Sequence, residues 1–201
     1  MALNCHGDAM LKVYQNEFRL SPWRCVMLSS EKEILVLQAY IEKFAAVEEF
    51  DQPAERFARI LSRVQRYCGK FQLQNSSEQH SLLTEARRQL NEYFNGKRTH
   101  FDLPYQICGT DFQKEAWNAL LQIPFGATWT YTQQATFLGS PGAARAVGTA
   151  NGNNLLQIFL PCHRVIGNSG SLVGYSGGLG SKVWLLQHEG ILPFGFARSC
   201  S

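Results

Sequence analysis

The chain has 201 residues, 45% of them apolar and 17% charged, with a formal net charge of +3. That apolar fraction suffices for a core and excludes long disorder, while the length suits one sizeable domain or two small ones. Apolar runs such as Ile34–Leu37 fall far short of the roughly 20 residues a membrane-spanning helix needs, so no membrane partner is expected.

Met1–Met10 carries Asn4, His6 and Asp8, with neither a basic start nor a continuous apolar stretch, and does not resemble a secretory signal. An intracellular protein is the expectation, cytoplasmic in a bacterium and nuclear in a eukaryote. Cys5, Cys25, Cys68, Cys108, Cys162 and Cys200 are widely scattered with no CxxC pair. Free thiols are therefore expected at all six, and a self-contained zinc finger is excluded by spacing. Charge is uneven: from Thr110 onward only Asp111, Lys114, Glu115, Arg145, Arg164, Lys182, Glu189 and Arg198 are charged. Two regions of different surface chemistry follow, the second with few cations to spend on phosphates.

In chain order, Trp23–Leu28 and Glu33–Tyr40 are rich in β-branched, aliphatic and aromatic residues around a polar Ser29–Lys32 turn, which predicts a two-stranded hairpin. Pro53 opens and Gly69 closes a helix with Phe57, Ile60, Leu61 and Val64 on one face. Ser77 can cap a second helix that buries Leu82, Leu83, Ala86, Leu90 and Phe94 and stops at Gly96. Lys97–Cys108, with Pro104, is expected to be an extended linker to a second unit.

That unit opens with Thr110 as cap of a helix over Asp111–Leu121, facing Phe112, Ala116, Ala119 and Leu120 inward and ending at Pro124 and Gly126. Thr130 caps a helix over Tyr131–Leu138, the breaker Gly139–Gly142 follows, and a small-residue helix runs over Ala143–Ala150. Two short helices joined by a Gly-containing turn form a helix-turn-helix candidate, and helix hairpins of this kind also occur simply as core packing. The second helix is nearly free of bulk, which permits close approach to another surface, and Arg145 is its lone cation.

The apolar run Leu155–Leu160 predicts a buried strand leading into Pro161-Cys162-His163-Arg164-Val165. A cysteine presented after a strand and a proline is a candidate nucleophile. His163 cannot easily turn onto the thiol of its immediate neighbour, so a bridging water or another residue would have to carry the proton. Glu189, closing a helix begun at Ser181, is the candidate third member of a Cys/His/Glu relay that raises the thiolate fraction. A buried inert cysteine beside a core histidine would leave the same pattern.

Pro161–Val165, followed by Gly174-Tyr175-Ser176-Gly177-Gly178 and Trp184-Leu185-Leu186-Gln187-His188-Glu189-Gly190, resembles the O6-alkylguanine-DNA alkyltransferase family. The likeness extends upstream through Tyr131, Gln133, Gln134, Ala143–Gly148 and Asn154, across about half the chain. It implies a mixed α/β (α+β) fold: a ribonuclease-H-like N-terminal domain over 1–108, with a small β-sheet plus helices, then a mainly helical DNA-binding and alkyl-acceptor domain over 109–201. The second domain would hold the helix-turn-helix and a buried active-site strand.

The resemblance implies direct-reversal DNA repair, in which the alkyl group of O6-alkylguanine, and of O4-alkylthymine, passes once to Cys162. Within it His163 draws the thiol proton through a water and Glu189 orients His163. Tyr131 donates to the ring N3, Ser176 lies near O6, and the carbonyls of Cys162 and Val165 accept from the exocyclic amine. Asn154 braces the turn before the active-site strand, and Tyr175 walls the base pocket. The small-residue helix, with Ala144 and Gly148, enters the minor groove of duplex DNA, and Arg145 fills the gap of a nucleotide rotated out of the stack. No cofactor is implied: some relatives hold a structural zinc, and Cys5, Cys25 and His100 do not reproduce such a ligand spacing. A monomer is expected. Competing readings are an alkylated-DNA recognition protein without transfer, a Cys/His thiol hydrolase, and a helix-turn-helix regulator.

Overall fold

The computed structural model describes residues 10–41, 53–75 and 80–193. Its N-terminal half is built on four strands, β1 (Leu11–Leu20), β2 (Trp23–Ser29), β3 (Ile34–Ile41) and β4 (Phe71–Asn75), in the spatial order β3-β2-β1-β4. β1, β2 and β3 pair antiparallel, and β4 runs parallel to β1. The expected hairpin is β2 and β3, and two further strands extend it. β1 interleaves Lys12, Gln15, Asn16, Glu17 and Arg19 with only two fully buried apolar residues, Val13 and Phe18, and β4 is a mostly exposed edge. Neither carries the apolar alternation by which strands announce themselves; the ladder holds them.

Helix α1 (Pro53–Cys68) covers one face of the sheet, packing Ile60 and Val64 against Val13, Leu28, Leu35 and Val36. Helix α2 (Ser81–Phe94) covers the other, packing Leu83, Ala86, Leu90 and Tyr93 with Phe18, Trp23, Met27 and Leu37. Full burial of side chains of this size contributes roughly 1.5–3 kcal/mol each. His80 caps α2 through its side chain, which accepts from Leu83 N, and Ser77 lies outside the described residues.

In the C-terminal half, α3 (Asp111–Leu120) begins at a capping box formed by Thr110 and Gln113, and α4 (Tyr131–Phe137) at one formed by Thr130 and Gln133. Between them lies β5 (Trp129–Thr130). A 3-10 turn over Pro141–Ala143 leads into α5 (Ala144–Gly152), so the predicted small-residue helix starts one residue later and runs two further. Phe112 stays exposed in the first turn of α3, and Trp117 takes the inward place, donating through Nε1 to Ala150 O at 2.8 Å. Gln134 and Asn151 lock the helix pair: Asn151 Nδ2 donates to Gln134 Oε1 at 2.7 Å, and Gln134 Nε2 to Ala116 O at 2.8 Å. The chain then passes through a 3-10 turn over Cys162–Arg164, β6 (Val165–Ile166), which pairs with β5, and α6 (Leu179–His188).

Two expectations are corrected here. Leu155–Leu160 is no strand but a tight loop in which Ile158 adopts a left-handed φ of +72°, and the strand beside the cysteine is β6, after it in the chain. The run is apolar because it is buried against β3, and burial alone does not distinguish a strand from a packed loop. Cys68 and Cys108 are joined in a disulfide, so the expectation of free thiols fails for this pair. The end of α1 and the segment before α3 meet in the core around Val64 and Leu155, a proximity that a sequence separation of 40 hides. Among the described residues Cys25 and Cys162 are free.

The outer edge of β3 carries the C-terminal half. Ile34 N donates to Pro104 O at 2.9 Å and Gln106 N to Ile34 O at 2.9 Å, so the linker Lys97–Cys108 docks as a partial strand. Further along, Leu37 N donates to Leu155 O at 2.8 Å, Ala39 N to Gln157 Oε1 at 2.8 Å, and Ile41 N to Ser181 Oγ at 3.1 Å. An edge that would otherwise invite another chain is thus consumed internally. Gly177 is required by the same approach: a Cβ there would lie 2.7 Å from Ala39 O.

The Gln134–Asn151 pair predicts a specific cost. Asn151→Ala leaves a buried amide of Gln134 without its partner and should destabilise the protein by about 1–3 kcal/mol, measured by denaturant unfolding.

Candidate active site

The left-handed turn at Ile158 folds the chain back so that Pro161 and Cys162 enter the core, where Cys162 is almost wholly buried. A β-branched residue at positive φ is strained, and such strain persists only where the surroundings over-determine it. Asn154 is part of that determination. Its Nδ2 donates to Leu160 O at 2.7 Å and contacts Cys162 Sγ at 3.2 Å, while its Oδ1 accepts from Leu156 N at 2.9 Å. The asparagine therefore closes the loop and touches the thiol itself.

Beyond the thiol, the 3-10 turn sends His163 and Arg164 toward the end of α6. His163 Nε2 lies 2.9 Å from Glu189 Oε1. Arg164 Nε donates to Glu189 Oε2 at 2.8 Å, its Nη2 to Oε1 at 3.0 Å, and its Nη1 to Ile123 O at 2.7 Å. Burial by itself would raise the Glu189 pKa, but the bonds from His163 and Arg164 outweigh it and hold the carboxyl well below the usual range. Burial lowers the His163 pKa, against the pull of Glu189, so the ring is neutral at pH 7. A neutral ring facing an ionised carboxylate through Nε2 carries its proton there, which leaves Nδ1 as a basic lone pair. Nδ1 is buried and has no hydrogen-bond partner.

Lys182, which the sequence reading overlooked, is fully buried in α6 and donates to Val165 O at 2.6 Å and Val173 O at 2.9 Å. Burial lowers its pKa to about 8, with the Cys162 charge acting in the opposite direction. Burial likewise raises the Cys162 pKa, opposed by the Asn154 amide and by Lys182. Tyr131, from the start of α4, donates to Val173 O at 3.2 Å, and its pKa is raised by burial and by the nearby Cys162. Ser176 accepts from Gln157 Nε2 at 2.5 Å, and the Tyr175 ring stands edge-on to His163 with centroids 6.5 Å apart.

The predicted site residues thus divide into two groups. Cys162, His163, Glu189, Asn154, Tyr131, Val165, Tyr175 and Ser176 gather around the 3-10 turn. Arg145, exposed, and Ala144 lie on α5, and Gly148 of the same helix faces the Tyr131 ring of α4. Arg164, Lys182, Gln157 and Tyr93, whose hydroxyl reaches Glu189, were not singled out. Arg164 sits inside the conspicuous motif and was legible there, whereas the other three carry no local signal. No group of three or more potential metal ligands occurs among the described residues. Cys25 is buried in the sheet, His100 is exposed beside Asp102, and Cys5 lies outside the described residues.

The ion cluster generates a prediction. Glu189→Gln leaves Arg164 without its counter-charge and should cost about 3–5 kcal/mol at pH 7, measured by thermal or urea unfolding. Because the folded-state pKa of Glu189 lies below its unfolded value of about 4.3, its contribution is present above that pH and is lost as pH falls through the folded value. The gap between the two proteins should therefore begin to narrow below about pH 4.3 and close only in strong acid.

Comparisons with known proteins agree across the chain. Residues 111–191 match the family described as 6-O-methylguanine DNA methyltransferase, DNA binding domain, and residues 17–107 match its ribonuclease-like domain. A methylated-DNA–protein-cysteine methyltransferase of Mycobacterium leprae is 50% identical over 111 residues, 55% of this chain and 67% of that protein. Such alignments span 61–67% of the length of the first mycobacterial relatives. The crystal structure of the Mycobacterium tuberculosis O6-methylguanine methyltransferase superposes with a TM-score of 0.68 at 34% identity, covering 90% of this chain and 96% of that one. The structure of the M. tuberculosis OGT in complex with DNA matches with a TM-score of 0.67 at 33% identity, over 89% and 92%.

Proposed function

Given that the chain belongs to the 6-O-methylguanine DNA methyltransferase family, we propose that it repairs DNA by moving the alkyl group of O6-alkylguanine onto Cys162. The observation that carries this reading is the buried thiol in contact with Asn154, one residue from a neutral His163 that is itself fixed by Glu189. His163 Nδ1 takes the thiol proton through an intervening water. The thiolate attacks the alkyl carbon in line, the S–C bond forms as the C–O6 bond breaks, and the electron pair returns to the guanine. Because the sulfur keeps the alkyl group, each molecule reacts once.

The leaving guanine needs protonation or a strong hydrogen bond to accept that pair. Tyr131, kept protonated by burial, exchanges its bond to Val173 O for one to N3, and Ser176 supports O6. The carbonyls of Cys162 and Val165 take the exocyclic amine. Lys182 uses one lone pair of Val165 O and leaves the other, so the two demands are compatible. No metal or cofactor enters this chemistry, because the sulfur supplies the electron pair. O4-alkylthymine offers the same bond to break.

The alkylated atom lies inside the stack of duplex DNA, so the nucleotide must rotate out. The helix-turn-helix serves this by laying α5 in the minor groove, where Ala144 and Gly148 allow close approach and Arg145 enters the stack in place of the flipped base. The few cations of the C-terminal half suit weak binding that scans rather than selects a sequence. A single copy suffices, working in the cytoplasm of a bacterium or the nucleus of a eukaryote.

Intact-protein mass spectrometry after incubation with a duplex containing O6-methylguanine should show a gain of one methyl group, mapped to Cys162 and absent from Cys162→Ala. Binding of the damaged duplex without a mass gain would mean recognition without transfer. Arg145→Ala should slow transfer from the duplex at least tenfold more than transfer from free O6-benzylguanine base, and equal losses on the two substrates would remove its role in flipping. Since burial raises the Cys162 pKa and lowers that of His163, transfer should accelerate from pH 6 to pH 8, as measured by single-turnover rates.

A further inference from the structure

One hydrogen bond to the reactive centre comes from the N-terminal half. Tyr93 lies in the last turn of α2, fully buried, and its hydroxyl donates to Glu189 Oε1 at 2.7 Å. The same oxygen faces His163 Nε2 at 2.9 Å and Arg164 Nη2 at 3.0 Å. The Tyr93 ring is packed by Phe94, Phe101, Phe125 and His188, with centroids 5.1 to 6.3 Å away. That aromatic nest would hold a phenylalanine equally well, so packing does not account for the hydroxyl. A buried hydroxyl costs free energy unless it is bonded, and here its bond goes to the carboxylate that orients the base.

We propose that Tyr93 is a positioning residue for alkyl transfer, acting through Glu189 to set the orientation and basicity of His163. The inference rests on the alkyl-transfer reading above and extends it to the half of the chain that contains no reacting group. Tyr93 and His163 share one carboxylate oxygen, so each donor reduces the negative charge available to the other. With the phenol removed, Glu189 holds the His163 N–H more strongly, and the proton affinity of Nδ1 rises. His163 is then protonated at a higher pH and is lost as a base sooner on acidification. The phenol stays a donor throughout, because burial and the neighbouring Glu189 push its pKa well above the usual value.

The other charged and titratable groups around this cluster are Arg164 on the 3-10 turn, Lys182 and His188 on α6, the Cys162 thiol and the Tyr175 phenol. All of them are unchanged by Tyr93→Phe. His188 Nε2 lies 2.7 Å from Tyr93 O, a main-chain contact that the substitution retains.

The test is the single-turnover transfer rate from an O6-methylguanine duplex, followed between about pH 5.5 and 9 for the full chain, Tyr93→Phe, His163→Ala and the double variant. Tyr93→Phe should transfer roughly two- to threefold more slowly near pH 6, with the acid limb moved upward by about half a unit, and should add no further loss in the His163→Ala background. An unmoved acid limb, or the same fold-loss in both backgrounds, would reduce Tyr93 to a packing residue and overturn the proposal. Should Tyr93→Phe fail to fold, 3-fluorotyrosine at position 93, a stronger donor, must move the limb downward, and an unmoved limb would again overturn it. No transfer by the unaltered chain would sink the alkyl-transfer reading itself, an outcome distinct from normal transfer with an unmoved limb.

Discussion

The ionised carboxylate of Glu189 is the constraint around which the C-terminal half is organised. A carboxylate out of contact with water is unfavourable by many kcal/mol unless it is paired and its lone pairs are filled. Here Arg164 pairs it through two nitrogens, His163 and Tyr93 fill the remaining sites, and Gly126 N lies 3.4 Å from Oε2. Two of those partners, His163 and Arg164, occupy the positions directly after Cys162. Satisfying the carboxylate therefore pins the turn that carries the thiol, and Cys162 is oriented by the requirements of its neighbours.

Positioning from the opposite side comes from β3. Its edge takes up Leu155, Gln157 and Ser181 in turn, so the strained loop before the cysteine is held by the ladder of the N-terminal sheet. Gln38 reinforces this, its side-chain amide donating to Asn154 O and Leu155 O at 3.2 Å each. At the C-terminal end of α5, Arg63 of α1 donates to Asn153 O at 2.6 Å, placing a cation where the backbone dipole favours it. The N-terminal half thus supports the thiol loop, the His163–Glu189 pair and α5 at separate points. A half without reacting groups is then far from dispensable, since each contact replaces a backbone or side-chain partner that water cannot supply in the core.

The buried ionisable groups work as a set rather than singly. Burial disfavours the charged form of each, so Cys162 rises while His163 and Lys182 fall. Lys182, lowered only to about 8, still carries most of its charge at pH 7, and Glu189 stays ionised against Arg164. The neutral imidazole is adjacent in sequence to the thiol, and the Asn154 amide dipole points its N–H at the sulfur.

Local chemistry in the sequence controls helix starts, amphipathic faces and compact motifs. Helices α3 and α4 start where Thr110 and Thr130 can cap them, and α1 and α2 bury the apolar faces their spacing defines, because caps and amphipathic periods act within a few residues. That Cys162, His163 and Glu189 come together was legible because each sits in a compact motif. The rest depends on long-range packing. β1 and β4 exist through pairing, Leu155–Leu160 became a strained loop because β3 offers it an edge, and Cys68 meets Cys108 across a distance in sequence. Lys182, Gln157 and Tyr93 look like ordinary helix and loop residues until packing buries their polar atoms, and a buried polar atom must find its partner wherever the fold places one.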